Sequence, residues 1–486
     1  MVIVPTRTLA ILPVLGILAA AALGLWAAEA AQSALPIVVL ADESALVLCV
    51  AILLRPAVGI SCFVVVAMVL PFAVVPARLL VAPTFVDLTL GVTLASWIAT
   101  SLLRPRPLIL SATHLVLLAV CGLVLVAAIL GAAFSPLTSE TLRLVLKLIN
   151  AMLVFFSVTQ LFNGDSQVRS VVRLIVGCGA VGALLALVIY YLPFNAAVAT
   201  LSALGDLGYP GGPEVVRFLA GTDVVRATGT AVDPNILGGT LMMSGLLGLG
   251  LLVGERIRWR QVLLALALLL TLIAMGLSAS RGAWVGFSGG LLFLGLFHDR
   301  RVLFVAAMIG GMLLATPAGQ AAAARLATGI RTQDPAAAMR IDEYRNAWTI
   351  IQDNPTIGVG FGESPIRGVG LGVSNLYLEV AEEAGVPAAM LLLCAIGLVG
   401  RRALRANNSP SNGSSDILPG LEAALVGCLV AGLFDHYFFD IHFPHMAGLL
   451  WLCLGLLFVA IRYSTSEGQA PHMGPLPAQD LERLHD

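Results

Sequence analysis

One polar stretch interrupts an otherwise hydrophobic chain: Arg340-Ile341-Asp342-Glu343-Tyr344-Arg345, then Gly358-Val359-Gly360-Phe361-Gly362, then Ser374-Asn375-Leu376-Tyr377-Leu378-Glu379. These motifs lie between Pro317 and Glu382, which bound the one long polar interval between hydrophobic segments. A chain that keeps most of its polar residues in one loop is expected to place its active or binding surface there.

The composition decides the class of protein. Of the 486 residues, 59% are hydrophobic and 11% are charged, and the mean hydropathy is +0.96. Soluble domains carry about a quarter charged residues. Apolar runs of about 20 residues recur along the chain, and each is long enough to cross a hydrocarbon core of roughly 30 Å as a helix. Because backbone groups must bond internally in lipid and the runs do not alternate, the sequence predicts an all-α polytopic membrane protein.

We expect about 12–14 transmembrane helices and one large extracytoplasmic loop. The predicted spans lie near 8–28, 35–54, 57–76, 83–103, 113–134, 141–163, 167–192, 234–254, 260–279, 282–298, 301–317, 383–401, 417–438 and 441–462. The chain is accordingly divided into transmembrane helices with short loops (1–316), the extracytoplasmic loop with an amphipathic helix (317–382), C-terminal transmembrane helices (383–463) and a disordered cytoplasmic tail (464–486).

Basic residues predict the orientation. Lys147 is the only lysine, so arginines carry the positive-inside signal, and they cluster in alternate short loops. This pattern places both termini in the cytoplasm and the long loop outside, where its arginines are exceptions that an anionic ligand would explain. The seven cysteines lie in or near apolar spans without metal-ligand spacing, and no basic tract indicates nucleic acid.

A first candidate site is the segment from Arg226 to Asn235. Asp233 or Asn235 is expected to cap the following helix, and Pro234 suits its first turn. Capping does not explain Arg226, an outward arginine beside a helix N-terminus whose dipole also attracts anions.

A second candidate is Ser278-Ala279-Ser280-Arg281-Gly282-Ala283-Trp284, a turn with almost no loop. An arginine near lipid is a functional hypothesis by default. The alternative is that Arg281 reaches toward lipid headgroups, with Trp284 as an interfacial aromatic residue.

The long loop is the third candidate. We expect residues 339–351 to form an amphipathic helix on the membrane surface, with Arg340, Tyr344 and Trp348 on one stripe and Arg345 beside it. The glycine run around Gly358 and Gly360 favours either a tight turn whose amides cradle phosphate or a merely flexible loop. Ser374 or Asn375 is expected to cap a helix that carries Glu379, Glu382 and Glu383.

A fourth cluster runs from Asp435 to His445 in the last outer turn. Its three histidines and two aspartates suggest a metal site, but their spacing fits no strong ligand motif and aromatic-rich interfacial turns are common. We therefore expect no bound metal, and a supporting or proton-transfer role remains open for His436.

In this order, the motifs resemble those of the O-antigen ligase and polymerase superfamily of bacterial membrane glycosyltransferases. The resemblance covers roughly residues 226–385 by motif and the whole chain by topology. The matching residues are Arg226, Gly229, Pro234 and Asn235, then Ser278 to Gly282, then Arg345, Trp348, Asn354, Pro355, Gly358 and Gly360, and finally Asn375, Tyr377, Leu378, Glu383 and Gly385.

The resemblance implies a GT-C-like fold in the bacterial inner membrane that uses neither a nucleotide sugar nor a metal cofactor. The donor would be a glycan on undecaprenyl pyrophosphate at the outer leaflet of the lipid bilayer, and other polysaccharide-assembly proteins are expected partners. Arg281 and Arg226 would contact the pyrophosphate, with Arg345 as a third contact ahead of Arg340. Trp348 or Tyr377 would stack on sugar, and Asn375, Gly358, Gly360 and His436 are further substrate-binding candidates.

The sequence departs from the superfamily at Ser374, where many members, ligases especially, have a histidine. Serine is no general base near neutral pH, so the base would be Glu379, Glu382 or His436, unless departure of pyrophosphate suffices. The departure favours a polymerase over a ligase. Two other classes stay open: a transporter using Asp42, Glu43 and Asp87 along a pathway, and a non-catalytic assembly subunit.

Overall fold

The computed structural model describes residues 36–75, 83–103, 107–134, 138–219, 221–316, 319–320, 323–324, 335–361, 373–407 and 417–464. In this part of the chain nearly all regular structure is helical, which confirms the predicted all-α membrane fold. The first predicted span (8–28) lies outside the described residues, as does the predicted tail beyond Ser464.

The helices in the first half are α1 (Pro36–Leu54), α2 (Pro56–Val69), α3 (Phe85–Leu103), α4 (Ala112–Leu130), α5 (Ser139–Met152), α6 (Val154–Leu161), α7 (Asp165–Tyr191) and α8 (Phe194–Ser202). Those in the second half are α9 (Pro234–Gly254), α10 (Arg258–Ser278), α11 (Arg281–Phe297), α12 (Arg300–Leu314), α13 (Pro335–Asp353), α14 (Leu376–Ala384), α15 (Val386–Asn407), α16 (Leu418–Ala431) and α17 (Pro444–Ser464). An antiparallel hairpin pairs β1 (Arg217–Phe218) with β2 (Val225–Arg226).

Eight helical segments in the described ranges are long and apolar enough to cross a membrane. They are Phe85–Leu103, Ala112–Ala133, Ser139–Leu161, Asp165–Tyr191, Pro234–Gly254, Arg258–Ser278, Val386–Ala406 and Pro444–Ser464. Each lies within a few residues of a predicted span. Helices α2, α11 and α16 are apolar but shorter, and the predicted 57–76 and 417–438 spans end early, at Val69 and Ala431.

The centre of the bundle is formed by α17 and α9, whose apolar windows are 100% and 83% buried. Both helices are apolar on all sides, as expected of helices surrounded by other helices. By contrast, α10 and α15 are only 22% and 28% buried and expose apolar side chains, as expected of helices that face lipid.

The connections at one end of the bundle meet in a surface that we call the loop face. It contains residues 70–75, 192–219, 221–233, 279–280, 354–361, 373–385 and 432–443. Backbone hydrogen bonds join these segments, from Ala227 N to Leu277 O (3.0 Å) and from Leu376 N to Gly432 O (2.8 Å). Segments far apart in sequence therefore share one surface, and α9, α11 and α14 begin there.

The structure shows a second long connection in addition to the predicted polar loop. Residues 192–233 separate α7 from α9 and contain α8 and the hairpin. This second interval is rich in Ala, Val, Leu and Gly, so its composition resembles that of the neighbouring spans.

Asp87, a residue considered for a transport pathway, has a structural role. Its carboxylate accepts hydrogen bonds from Thr84 N and Thr84 Oγ1 at 2.9 and 2.7 Å, which closes a capping box at the start of α3. The same carboxylate forms a 2.8 Å ion pair with Lys147. These contacts explain Asp87 without a transported substrate.

Candidate functional site

Arg226 joins the starts of two helices at the loop face. Its Nε donates to Ser278 O and its Nη2 donates to Asn235 Oδ1, both at 2.8 Å. Asp233 caps α9 by accepting from Asn235 N and Ile236 N, so both sequence-predicted features of this segment are present. The side chain of Arg226 is thus held between the N-terminus of α9 and the turn before α11.

The turn before α11 presents Arg281 at the same place. Ala279 has the left-handed backbone conformation (φ 53°), which is unusual for a residue with a side chain. Ser278 Oγ donates to Met275 O at 2.8 Å, and Ser280 caps α11 by accepting from Ala283 N. Arg281 is therefore the first residue of α11. Trp284 Nε1 donates to Met275 O at 3.2 Å, so its indole bonds to protein rather than to a headgroup.

The helix end, burial and a neighbouring charge all act on the guanidinium of Arg281. The helix dipole is positive at the N-terminus and opposes a guanidinium there. The Arg281 side chain is also partly buried and lies close enough to Arg340 for the two charges to repel.

Helix α13 brings Arg340 to the site. Tyr344 Oη lies 2.9 Å from Ser374 O and 3.0 Å from Leu433 O, and the buried Glu343 accepts from Ser374 N at 3.0 Å. Arg340 lies one turn before Tyr344, on the face that these contacts turn toward the bundle. Its guanidinium makes no hydrogen bond or ion pair with any residue that the structure describes.

Two of the predicted residues on α13 are exposed. The Arg345 side chain is 78% exposed and pairs with Asp342 at 3.3 Å, and Trp348 is 57% exposed. The predicted stripe of Arg340, Tyr344 and Trp348 is therefore divided. The structure brings Arg340, rather than Arg345, to Arg281, and it leaves Trp348 away from the cluster.

The glycine run packs against protein. Gly358 and Gly360 have φ values of 71° and 77°, which favour glycine. The amides of Val359 and Gly360 donate to Glu382 O and Glu383 O at 2.8 and 3.0 Å. These amides fasten the segment to the end of α14, so they are not directed at a phosphate.

Helix α14 begins at the cluster. Asn375 caps it by accepting from Tyr377 N and Leu378 N, and Asn375 Nδ2 donates to Leu433 O at 3.1 Å. Tyr377 Oη donates to Leu429 O at 2.7 Å, which turns the ring toward α16. Glu379 is buried and accepts from Val373 N at 3.0 Å.

The remaining acids of α14 are Glu382 and Glu383, and both are buried. Neither carboxylate is on the exposed surface of the loop face.

The turn after α16 contains two histidines that share one carboxylate. Asp440 lies 3.1 Å from His436 Nε2 and 3.0 Å from His442 Nδ1. Burial opposes protonation of His436, but the Asp440 hydrogen bond and the charges of Glu379 and Asp435 outweigh it and raise the pKa of His436 to about 10. His436 is therefore a cation at neutral pH and cannot act as a general base there.

The same turn does not assemble a metal site. Among the described residues no group of three or more His, Cys, Asp or Glu side chains is arranged to hold a metal ion.

Asp435 is a carboxylate that lies beside the first turn of α11 and near Arg340. Its Cβ lies 3.9 Å from the position of a Cβ on Gly282, and its backbone O accepts from Leu376 N at 3.2 Å. Asp435 Oδ1 accepts from His436 N at 3.0 Å, whereas Oδ2 is buried without a hydrogen-bond partner among the described residues. Burial raises the pKa of Asp435, and the nearby charges of His436 and Arg340 partly offset this.

Together these residues form one class of site, a cluster of arginines at one end of a multi-pass helical membrane protein. Residues 265–393 match the model of a family described as O-antigen ligase (Wzy_C). This match confirms the resemblance to the O-antigen ligase and polymerase superfamily and supports that type of function in general. No curated protein matches the chain. The matched segment contains Arg281 and Arg340, whereas Arg226 and Asp435 lie outside it.

Proposed function

We propose that this protein is a metal-independent glycosyltransferase that takes its glycan from undecaprenyl pyrophosphate at the outer face of the bacterial inner membrane. The observation that carries the proposal is the approach of Arg226, Arg281 and Arg340 to one another where α9, α11 and α14 begin. Three guanidiniums and three helix N-termini favour one kind of ligand, a compact multiply charged anion.

Pyrophosphate is the leaving group that fits this arrangement. When the bond from the anomeric carbon to the phosphate oxygen breaks, negative charge develops on the pyrophosphate. Guanidiniums fixed at partly buried positions stabilise that charge without rearranging during the reaction. Arg226 is already fixed by Ser278 and Asn235, and planar guanidiniums suit phosphate oxygens.

The acceptor hydroxyl must lose a proton as its oxygen attacks the anomeric carbon, and we assign that proton to Asp435. The sequence candidates fit less well, because His436 is already protonated and the Glu379 carboxylate already accepts from Val373 N. Asp435 keeps one oxygen without a partner among the described side chains. Its raised pKa also makes it a stronger base than an ordinary aspartate.

The acceptor that we favour is a second lipid-linked glycan, which makes the protein a polymerase of O-antigen or exopolysaccharide. Ser374, where many ligases have histidine, supports this choice. The second candidate is a ligase that transfers the glycan to lipid A-core, and the match to a family described as O-antigen ligase favours it.

The test is a product assay on the purified protein in detergent with lipid-pyrophosphate-linked repeat units. A ladder of lengthening glycans is expected from the wild type, and Arg281→Ala is expected to abolish it. Arg256→Ala is the matched control because Arg256 is an exposed arginine in the connection between α9 and α10. Product only after addition of lipid A-core would identify a ligase. No product with either acceptor would overturn the proposal.

A further inference from the structure

A second group of arginines lies at the end of the bundle opposite the loop face. Helices α15 and α17 both begin beside the loop face, so they end on the opposite side, at Asn407 and Ser464. Arg402 lies near the end of α15, and Arg462 lies in the last turn of α17. Both side chains are partly buried. We call these two residues the distal arginine pair.

The two guanidiniums come from different helices and meet beside α17. The Cζ atom of Arg402 lies 4.9 Å from the ring centre of Phe458. Phe458 is four residues before Arg462, so the two residues are neighbours along one face of α17. Arg402 and Arg462 are also both close enough to the buried His114 of α4 to interact with it electrostatically. The fold thus places two positive charges near one another.

The described part of the chain does not neutralise these charges. Arg462 Nη2 donates to Tyr463 Oη at 2.7 Å and to Phe162 O at 3.4 Å. Its Nη1 is buried and has no hydrogen-bond partner among the described residues, which is costly for a charged group. Arg402 packs on the Phe458 ring but forms no hydrogen bond or ion pair with any residue that the structure describes.

The surrounding helices supply no acid for this pair. None of α4, α6, α15 and α17 contains an aspartate or a glutamate. Two acids of neighbouring helices have partners of their own. Asp165 at the start of α7 pairs with Arg169 at 3.2 Å, and Glu422 of α16 lies 2.6 Å from His298. Among the described residues, the distal arginine pair therefore has no counter-charge.

Membrane topology alone does not account for the pair. Arginines that only set the orientation of a helix need to be near the membrane surface, but they do not need to be buried. Arg401 and Arg405 of α15 are exposed and have this character. Arg402 instead packs on Phe458, which is almost fully buried between helices.

Exposed apolar side chains lie beside the pair. The C-terminal end of α4 packs against Gly360 of the loop face, so its first turn is at the distal end. Leu115 and Leu118 of α4 are exposed, as is Leu404 of the adjacent α15. An acyl chain can lie along these two helices while its phosphate stays at the arginines, whereas a soluble anion would not use the apolar surface.

We propose that the distal arginine pair binds the headgroup of an anionic phospholipid from the membrane leaflet away from the loop face. The headgroup phosphate lies against Arg402 and compensates the charge of Arg462, and the acyl chains lie along α4 and α15. Basic pockets between transmembrane helices bind anionic headgroups in this way. The inference does not depend on the proposed transferase activity, because it concerns the other end of the bundle.

The experiment measures equilibrium binding of short-chain phosphatidylglycerol to the full-length protein in a nonionic detergent. Short-chain phosphatidylcholine, which has no net charge, and inorganic phosphate, which has no acyl chain, are the comparison probes. The wild type is expected to bind phosphatidylglycerol more tightly than either. Arg402→Gln is expected to weaken binding of phosphatidylglycerol by about tenfold, as expected for loss of a hydrogen bond between charged groups, and to leave phosphatidylcholine unchanged.

Three further variants make the test specific. Arg401→Gln is the matched control, because it removes the same charge from an exposed neighbouring position and is expected to change binding little. Arg281→Ala is also expected to leave this binding unchanged, which separates it from anion binding at the loop face. Arg462→Gln keeps an amide donor for Phe162 O and is expected to weaken binding as Arg402→Gln does, so the test does not depend on one variant. Melting curves without lipid check that each variant folds.

Three outcomes would overturn the inference. One is unchanged binding of phosphatidylglycerol in folded Arg402→Gln or Arg462→Gln protein. Another is an equal loss of binding in Arg401→Gln, which would show attraction to surface charge rather than a defined site. The third is equally tight binding of inorganic phosphate, which would make the occupant a free anion. Because binding is measured without turnover, a failure of the glycan-transfer assay would leave this result unaffected.

Discussion

Two aspartates, Asp87 and Asp435, show the difference between a structural and a candidate functional charge. Asp87 closes a capping box with Thr84 and forms an ion pair with Lys147, and both side chains of the ion pair are nearly buried. Asp435 is also buried, but its Oδ2 has no hydrogen-bond partner in the described ranges. The nearby Arg340 does not form an ion pair with it.

The two aspartates differ in whether protein groups satisfy both oxygens of the carboxylate. Buried polar groups that only support the fold are normally satisfied by protein partners, as Asp87 is. Around Asp435, arginines stand close to one another, a guanidinium stands at a helix N-terminus, and an acceptor oxygen is unused. Such an arrangement is costly in the free protein and is expected where a ligand completes it.

The largest effect is expected at Arg281. Replacement by alanine should lower glycan transfer by about 100- to 1,000-fold, the range found when a donor that stabilises transition-state charge is removed. Thermal stability should stay the same or rise, since repulsion from Arg340 is lost. Steady-state kinetics with lipid-linked repeat units and melting curves in detergent check both points. Loss of stability with retained kcat would show that Arg281, like Asp87, has a structural role.

Asp87→Asn should have the opposite profile. Leaving Lys147 without its buried partner is expected to lower the free energy of unfolding by about 3 kcal/mol. Activity per folded molecule should be unchanged. The measurement is denaturant or thermal unfolding with activity normalised to folded protein; a specific loss of activity would return Asp87 to the functional class.

Asp435→Asn should lower kcat about 100-fold, within the usual contribution of a general base. In the wild type the rate should fall as the pH falls, because protonation removes the base. Since burial raises the pKa of Asp435, this fall should begin above the usual range of an aspartate. A pH–rate profile checks it, and an acid limb that persists in Asp435→Asn would assign the limb to another group.

The contacts of Asp440 with His436 and His442 predict that the stability of the protein depends on pH. The pKa of His436 is raised to about 10 from an ordinary value of 6.5, so its contribution is complete below pH 6.5 and is lost as the pH rises toward 10. The wild-type melting temperature should therefore fall between pH 7 and pH 10. Asp440→Asn should melt lower at pH 7 and depend less on pH over this interval, whereas equal slopes would exclude the pair as the cause.

The smallest effect is expected at Arg345. Its ion pair with Asp342 is on the surface, and such pairs contribute about 0–1 kcal/mol. Arg345→Ala should change neither melting nor transfer appreciably, whereas Arg340→Ala should lower transfer. A large loss of transfer in Arg345→Ala but not in Arg340→Ala would show that Arg345 is the more important contact, as the sequence predicted.

The helices, their caps and the arginines of the two turns could be predicted from the sequence, because each depends on a local pattern of residues. Apolar runs of spanning length predicted the helices from 83 onward to within a few residues, except where α16 stops at Ala431. The caps at Asp233, Ser280 and Asn375 follow from short-range hydrogen bonds. The arginines of the two turns were recognisable because charge is unexpected beside lipid.

The tertiary structure alone decided which side chains meet. Arg340 and Arg345 lie on the same helix, and periodicity could not tell which of them the contacts of Tyr344 would turn toward Arg281. Nor could it show that the hairpin opposes Arg217 to Arg226, or that the Asp440 carboxylate stabilises the protonated form of His436. The amino-acid sequence therefore determined a helical membrane protein with arginines at its loops, since hydropathy and capping act over a few residues. The grouping of Arg226, Arg281 and Arg340 depends on contacts between segments far apart in the chain, so only the folded bundle determines it.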